Sequence, residues 1–153
     1  MARSFAELRA DMVARIAGLA GWQVVDVPAD LFGPDVVPDA VPAAPTRTPF
    51  AVGVSTSQPV DVSSRQRVAG QHVISEVVVR FLAPVKARAK LASVDSGLDA
   101  ELALINRIVD RSGAWPVQFN TPTWLRSART SAPSGNWRQH DVSFSVLHLI
   151  DNA

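Results

Sequence analysis

The chain has 153 residues, a formal net charge of +1 at pH 7, an apolar share of 47% and no cysteine. The length suits one domain, 1–153, and the missing cysteine excludes disulfides, thiolate metal sites and thiol nucleophiles. No apolar run approaches the roughly 18 residues of a membrane-spanning helix, and the first residues lack the apolar core of a secretory signal, so we expect a soluble protein made in a cytoplasm.

A capping box predicts the start of the first helix. In Ser4-Phe5-Ala6-Glu7, the Ser4 hydroxyl is expected to accept from the Glu7 amide while the Glu7 carboxylate accepts from the Ser4 amide. Arg9 and Arg15 are predicted on the far side, and Gly18 near the end. The predicted apolar stripe consists of Phe5, Leu8, Met12, Ile16 and Leu19.

A proline-rich connector follows a short predicted strand, Trp22 to Val27. Prolines between residues 28 and 49 remove backbone donors and interrupt any regular ladder. We favour a surface loop held down by Leu31 and Phe32; the other interpretation is an arm that wraps a partner.

The next two strands are predicted to pair as an antiparallel hairpin, Phe50 to Ser55 with Gln71 to Leu82. Glu76 and Arg80 should point to one face of the second strand, and its apolar residues to the other. These are Val73, Val77, Val79 and Phe81. The intervening segment, Thr56 to Gly70, is polar, carries Arg65 and Arg67, and should project from the sheet.

Pro84 should end that strand, and three cations at alternating positions follow it: Lys86, Arg88 and Lys90. Asp95 or Ser96 could then cap a second helix that runs to about Arg111. We expect Asp99 and Glu101 to favour its amino terminus through the helix dipole. The predicted buried stripe is Leu98, Leu102, Ile105 and Val109.

A terminal hairpin is predicted from Trp124 to Thr130 and from Trp137 to Ile150, joined by Ser131 to Asn136. Trp137 and Arg138 follow its turn, and we predict them as interface residues. Together the elements indicate an α+β fold. Its mixed, mainly antiparallel sheet should have about four to five strands, with two helices packed on one face, in the order α-β-β-β-α-β-β.

The residues show no pattern for catalysis, cofactor binding or metal binding. The histidines at 72, 140 and 148 lack metal-site spacing, and the glycines form no phosphate loop. His140 and Asp141 are neighbours on a strand and should point to opposite faces, and no serine lies in a glycine-flanked elbow. We therefore expect a protein that is not an enzyme and needs no cofactor.

Charge is unevenly distributed along the chain. Residues 1–61 hold four basic and seven acidic side chains, whereas residues 62–94 hold six basic and one acidic. One interpretation is a head-to-tail ring in which an acidic surface meets a basic one. The others are a solvated surface, or contact of the cations at 65, 67, 86, 88 and 90 with nucleic acid phosphates.

The order of elements resembles that of tail terminator proteins of long-tailed bacteriophages, also called minor tail or tail completion proteins. The resemblance rests on the helix that begins Phe5-Ala6-Glu7-Leu8-Arg9, the strand from Val73 to Leu82, the helix around Leu98 to Leu102, and the closing strand from Asp141 to Val146. The long proline segment and the Thr56 to Gly70 loop depart from compact members of that family.

The resemblance implies a virion protein of the tail or neck, assembled in the host cytoplasm. It would form a six-fold ring on the last disc of the tail tube, stop tube polymerisation, and present a surface to the head-completion protein. The implied partners are further copies of the chain, the major tail protein, the head-completion or stopper protein, and DNA passing through the ring. The alternatives are another neck protein or the tube protein itself, and, in a different class, a small enzyme or ligand-binding domain.

Overall fold

The computed structural model describes residues 4–24, 48–60, 71–111, 113, 115–116, 119–131 and 135–150. This part of the chain forms two α-helices, one short 3₁₀ helix and five strands. In chain order they are α1 (Phe5–Ala17), β1 (Trp22–Val24), β2 (Thr48–Pro59), β3 (Gln71–Pro84), the 3₁₀ helix (Ala87–Ala89), α2 (Lys90–Val109), β4 (Thr123–Ser131) and β5 (Trp137–Ile150).

The five strands form one mixed sheet in the order β1-β2-β3-β5-β4. The β1–β2 pair is parallel, and the other three pairs are antiparallel. Both helices contact this sheet, α1 over β1 and β2, and α2 over β3, β5 and β4. The predicted fold class and element order are confirmed.

Alternation along the strands separates a face that packs against the helices from an open face. On β3, the odd-numbered residues from Val73 to Ala83 are buried, whereas Glu76 and Arg80 point to the other side, as predicted. On β5, the register pairs Val79 with Val142, and His140 with Phe81, on the helix face. The core therefore lies between the helices and this one face.

The capping box at Ser4 and Glu7 is present, and Gly18 is the C-cap of α1. Leu8, Met12 and Ile16 are fully buried, but Phe5 at the start of the stripe is exposed. The placement of Arg9 away from the sheet was wrong, because its Nε donates to the Val52 carbonyl oxygen at 2.7 Å.

Two arginines join the C-terminal ends of the helices. Arg15 Nε donates to the Arg107 carbonyl oxygen at 3.1 Å, and Arg107 Nε donates to the Arg15 carbonyl oxygen at 3.0 Å. Each side chain thus satisfies a terminal carbonyl of the other helix. The Arg15 guanidinium also lies 4.5 Å from the centre of the Trp115 ring.

Helix α2 starts at Lys90, earlier than the predicted cap at Asp95 or Ser96. The 3₁₀ helix runs directly into it, so the helix needs no polar side chain to begin. Ser93, in the first turn, instead accepts from the Lys86 backbone amide at 3.1 Å.

The predicted inward stripe of α2 was also wrong by one position. The buried residues are Gly97, Glu101, Leu104 and Ile108, whereas Leu102 is exposed. The spacing of apolar residues predicted the wrong stripe because a carboxylate, that of Glu101, occupies one of the inward positions. The expectation that Glu101 favours the amino terminus of the helix through the helix dipole was also wrong, since this side chain is buried beneath the helix.

Strand β2 is longer than predicted and takes in residues assigned to both neighbouring loops. The remaining connector residues, 25–47, and loop residues 61–70 lie outside the described residues, as do 132–134 of the hairpin turn. The predictions for Arg65 and Arg67 therefore also fall outside the described part.

Gly97 allows the close approach of α2 to the sheet. A Cβ at this position would lie 3.0 Å from His140 Nε2 and 3.2 Å from the Ala83 Cβ. We predict that Gly97→Val lowers the free energy of unfolding by about 2 kcal/mol, because the added methyl groups overpack this contact. Chemical denaturation measures the effect. Ala103→Val, at an exposed position of the same helix, should change stability by no more than about 0.5 kcal/mol, and equal effects of the two substitutions would contradict the packing argument.

Candidate functional site

A buried polar cluster connects α2 to strands β4 and β5. Glu101 accepts from Arg129 through both carboxylate oxygens, at 3.1 Å from Nε and 2.5 Å from Nη2. His140 Nδ1 lies 2.9 Å from Glu101 Oε1. The His140 ring also stacks on Phe81, with the ring centres 4.5 Å apart. Four elements are thus joined around one carboxylate.

Electrostatics in this cluster favour an ionised Glu101 and a neutral His140. Burial alone would raise the pKa of Glu101, but the hydrogen bonds from Arg129 and His140 outweigh it and lower the pKa. Burial lowers the pKa of His140, and the neighbouring charges of Arg138 and Arg129 lower it further, against the opposing effect of Glu101. The cluster therefore works as a fixed ion pair beside a neutral imidazole.

A second buried histidine lies in a chain of hydroxyl groups. Ser75 Oγ is 2.6 Å from His148 Nε2 and 2.8 Å from Ser57 Oγ. Ser75 and His148 are both buried, and in the described part of the chain His148 Nδ1 has no hydrogen-bond partner. The Ser75 hydroxyl is therefore shielded from solvent, and no carboxylate among the described residues forms an ion pair with the His148 ring.

The open face of the sheet carries two ion pairs along a shallow cleft of about 590 Å³. Arg80 Nε donates to Asp141 Oδ1 at 2.6 Å, and Arg80 Nη2 donates to Oδ2 at 2.9 Å. Arg126 pairs with Glu76. Because each cation faces a carboxylate, the charges in this cleft compensate one another.

Arg80 and His72 do not meet as a site for an anionic ligand between the helices. Arg80 lies on the face that the helices do not cover, and Asp141 neutralises it. The two residues are also eight positions apart on β3, which separates them by about 26 Å.

Helix α2 presents exposed leucines beside its buried stripe, and we refer to Leu91, Leu98 and Leu102 as the α2 flank. Leu91 is 75% exposed and Leu102 is 56% exposed, while Leu98 is half-buried. At 100° per residue the three lie on one side of the helix. Arg107, which contacts α1, lies on the other side. The α2 flank therefore faces away from α1, toward the side of the sheet where β4 lies.

Strand β4 is an edge of the sheet and is exposed over nearly its whole length. Trp124 is 47% exposed and Leu125 is 45% exposed. The register with β5 shifts between Trp124 and Arg126, which is typical of a β-bulge at a sheet edge. The other exposed residues of β4 are mostly polar or charged, so the apolar surface on this side consists of the α2 flank with Trp124 and Leu125.

The predicted interface residues have different surroundings. Lys86, Arg88 and Lys90 are exposed before and at the start of α2. Trp137 is only 6% exposed, so its prediction as an interface residue is corrected: the indole packs inside the chain because its strand start is paired with Pro84. Arg138 is half-buried beside it.

The part of the chain that the structure describes holds no group of three or more histidine, aspartate or glutamate residues that could bind a metal. Within the same residues, no helix is long and apolar enough to cross a membrane. His140 and Asp141 point to opposite faces, as predicted, with partners Glu101 and Arg80.

The pairing of Glu101 with Arg129 was not predicted from the sequence. The sequence held only a weak signal for this pairing. A stripe displaced by one position contains Gly97, Leu104 and Ile108, with Glu101 between them. A single glutamate in such a stripe requires a cation from another element. Which of the chain's arginines supplies it depends on tertiary structure.

Comparison with solved structures finds a similar fold in a chain of a structure described as the virion of a native gene transfer agent (GTA) particle. The TM-score is 0.54 at 18% sequence identity, and the match covers 95% of this chain and 99% of that chain. At this identity, the likeness shows a shared fold. No protein-family model matches the sequence, and no curated protein matches it.

We predict that Glu101→Gln lowers the free energy of unfolding by about 2 kcal/mol, because it removes the charged acceptor of the hydrogen bonds from Arg129, which is 34% exposed, and from the buried His140. Chemical denaturation at pH 7.5 provides the measurement. The matched control is Asp99→Asn, an exposed carboxylate on the same helix, for which a change within about 0.5 kcal/mol is expected. A loss for Glu101→Gln as small as that of the control would refute a structural role for the pair.

Folding stability should decrease as the pH falls below about 6.5. Burial lowers the pKa of His140 and of His148 in the folded chain, so the unfolded chain binds protons first. The contribution of the two neutral histidines to the free energy of unfolding is fully present above their unfolded pKa. It is lost as the pH falls from there, with a slope of up to about 2.7 kcal/mol per pH unit.

Denaturation curves at pH 7.5, 6.5 and 5.5 measure this slope. Glu101 adds a further loss below its ordinary pKa of 4.5, since its folded pKa is lowered. Constant or rising stability between pH 6.5 and 5.5 would contradict the assignment of both imidazoles as neutral and buried.

Proposed function

We propose that this chain is a structural protein of a phage-like virion, and within that class a tail terminator. Six copies form a ring at the head-proximal end of a tail tube, end tube polymerisation, and provide the surface for head joining. Its partners are further copies of itself, the major tail protein and the head-completion or stopper protein. The protein is assembled in the host cytoplasm and located in the neck of the virion.

The observation that carries this proposal is the end-to-end likeness to a chain of a gene transfer agent virion. The match spans nearly all of both chains, so it concerns a whole subunit rather than a common motif. The order of elements in the sequence leads to the same class of particle by a separate route, through its resemblance to tail terminators.

The distribution of exposed apolar side chains supports a head-to-tail contact between copies. The α2 flank provides one apolar surface. Phe5 and Ile74 are also exposed near the start of β3, but they lie on opposite faces of the sheet, since Phe5 packs edge-on against His148 on the helix face. A ring that closes needs two different surfaces on each copy, because each subunit contacts its neighbours through different sides. We assign the α2 flank to one of these contacts.

The mechanism of termination is geometric. The ring repeats enough of the tube's end to bind it through six equivalent contacts, while its far face lacks the surface that another tube subunit needs. Contacts that are individually weak act together when a rigid ring holds them at the spacing of the tube. No covalent chemistry is required, and the buried Ser75–His148 pair agrees with a structural role.

Two alternatives predict different behaviour. Another neck protein, such as a stopper or adaptor, would form rings without controlling tube length, and a tube protein would polymerise by itself. A ligand-binding domain or enzyme would use the cleft on the open face. The two ion pairs that line this cleft leave little net charge for a charged ligand to recognise.

We predict that the purified protein forms six-membered rings and holds the length of tubes assembled from its major tail protein constant. Light scattering and negative-stain imaging, with and without tube subunits, measure both. A persistent monomer that leaves tubes unchanged would contradict the proposal and favour a ligand-binding domain. Rings that leave tube length uncontrolled would favour a different neck protein.

The variant Leu102→Glu should convert rings to monomers, because it places a charge in an apolar contact between copies. Its melting temperature should stay within a few degrees of the wild type, since Leu102 is exposed in the single chain. Ala103→Glu adds the same charge at the next exposed position and should keep the ring. Intact rings of Leu102→Glu would exclude the α2 flank as the contact.

A further inference from the structure

Three exposed cations lie close together where the chain leaves β3 and enters α2, and we call Lys86, Arg88 and Lys90 the basic segment. Two hydrogen bonds from the backbone hold the start of this segment in place. The Val85 amide donates to the Asn136 carbonyl oxygen at 2.8 Å, and the Lys86 amide donates to Ser93 Oγ at 3.1 Å. The cations therefore project from a fixed support rather than from a free loop.

None of the three cations forms an ion pair with a described residue. By contrast, Arg80, Arg126 and Arg129 each form an ion pair with a carboxylate. The first turn of α2 also contains no acidic side chain. No acidic side chain of the described residues is therefore paired with these positive charges.

The location of these charges is unfavourable for the free protein. Cations destabilise the amino-terminal end of a helix, where the dipole favours negative charge. Arg138 adds to the positive potential, because it is paired with Ala83, three residues before Lys86. Its Nη1 is buried, and no hydrogen-bond partner for it is present among the described residues. A local arrangement that costs stability is expected at functional positions.

We propose that the basic segment binds the phosphate backbone of double-helical DNA. The residues between the cations are Ala87 and Ala89, whose small side chains let a polyanion reach all three charges. Such a surface suits contacts with DNA phosphates. Lysine and arginine side chains supply most of the affinity of these contacts, because they release the counterions condensed on the DNA. Leu91, directly after Lys90, is assigned to the contact between copies, and the two alanines among the cations offer no anchor for a further protein partner.

This inference goes beyond the proposed function and does not depend on it, because the basic segment is complete in a single chain. The binding it describes is independent of base sequence, since phosphate contacts carry no sequence information. It also explains why three unpaired cations occur in a chain whose net charge is only +1.

The test measures binding of a fluorescent 20-base-pair duplex by anisotropy at several salt concentrations. Arg88→Glu should weaken binding about tenfold at low salt and reduce the slope of log affinity against log salt by about 0.9. Arg111→Glu is the matched control, since Arg111 is an exposed arginine beyond the other end of α2. The control variant should bind as the wild type does.

Folding does not confound this comparison. Arg88→Glu replaces a cation by an anion near the start of a helix, so its melting temperature should equal or exceed that of the wild type. Equal loss of binding in both variants, or no salt-dependent binding by the wild type, would overturn the proposal. Displacement of the duplex by polyglutamate of equal charge, at equal concentration, would also overturn it, in favour of an acidic protein partner. Light scattering on Arg88→Glu measures ring formation separately, so that a failure of DNA binding can be distinguished from a failure of the proposed function.

Discussion

The buried carboxylate of Glu101 is the constraint on which the arrangement of this fold depends. An ionised group inside a protein must be paired and hydrogen-bonded, or the cost of removing it from water is several kcal/mol. Arg129 and His140 meet that requirement here. Because they belong to β4 and β5, the position and rotation of α2 on the sheet follow from a single polar cluster, and Gly97 provides the close approach that the cluster needs.

That rotation determines the surface available for assembly. With Glu101 turned inward, the leucines next to it are turned toward solvent, and the α2 flank is left uncovered on the side of the edge strand β4. A helix rotated by one residue would bury these leucines and expose the carboxylate. The inward position of Glu101 therefore divides the helix into two sides. One side stabilises the monomer, and we assign the other to contacts between copies.

Sequence patterns predicted those parts of the fold that local chemistry determines. The capping box at Ser4, the alternation of β3 and the terminal hairpin are each encoded within a few residues, and all are confirmed. The patterns failed where partners distant in the chain decide the outcome. The inward stripe of α2 depends on Arg129, and the contact of Arg9 depends on a carbonyl 43 residues away. The burial of Trp137 likewise depends on pairing with the end of β3, which no local signal indicates.

A cryo-electron microscopy structure of the protein bound to the end of its tail tube would show whether the α2 flank forms the contact between copies. We expect a six-membered ring in which Leu102 is buried against a neighbouring copy while Glu101 stays between Arg129 and His140. A ring in which Leu91 and Leu102 remain in solvent, or in which α2 has turned to bury them against its own sheet, would contradict it.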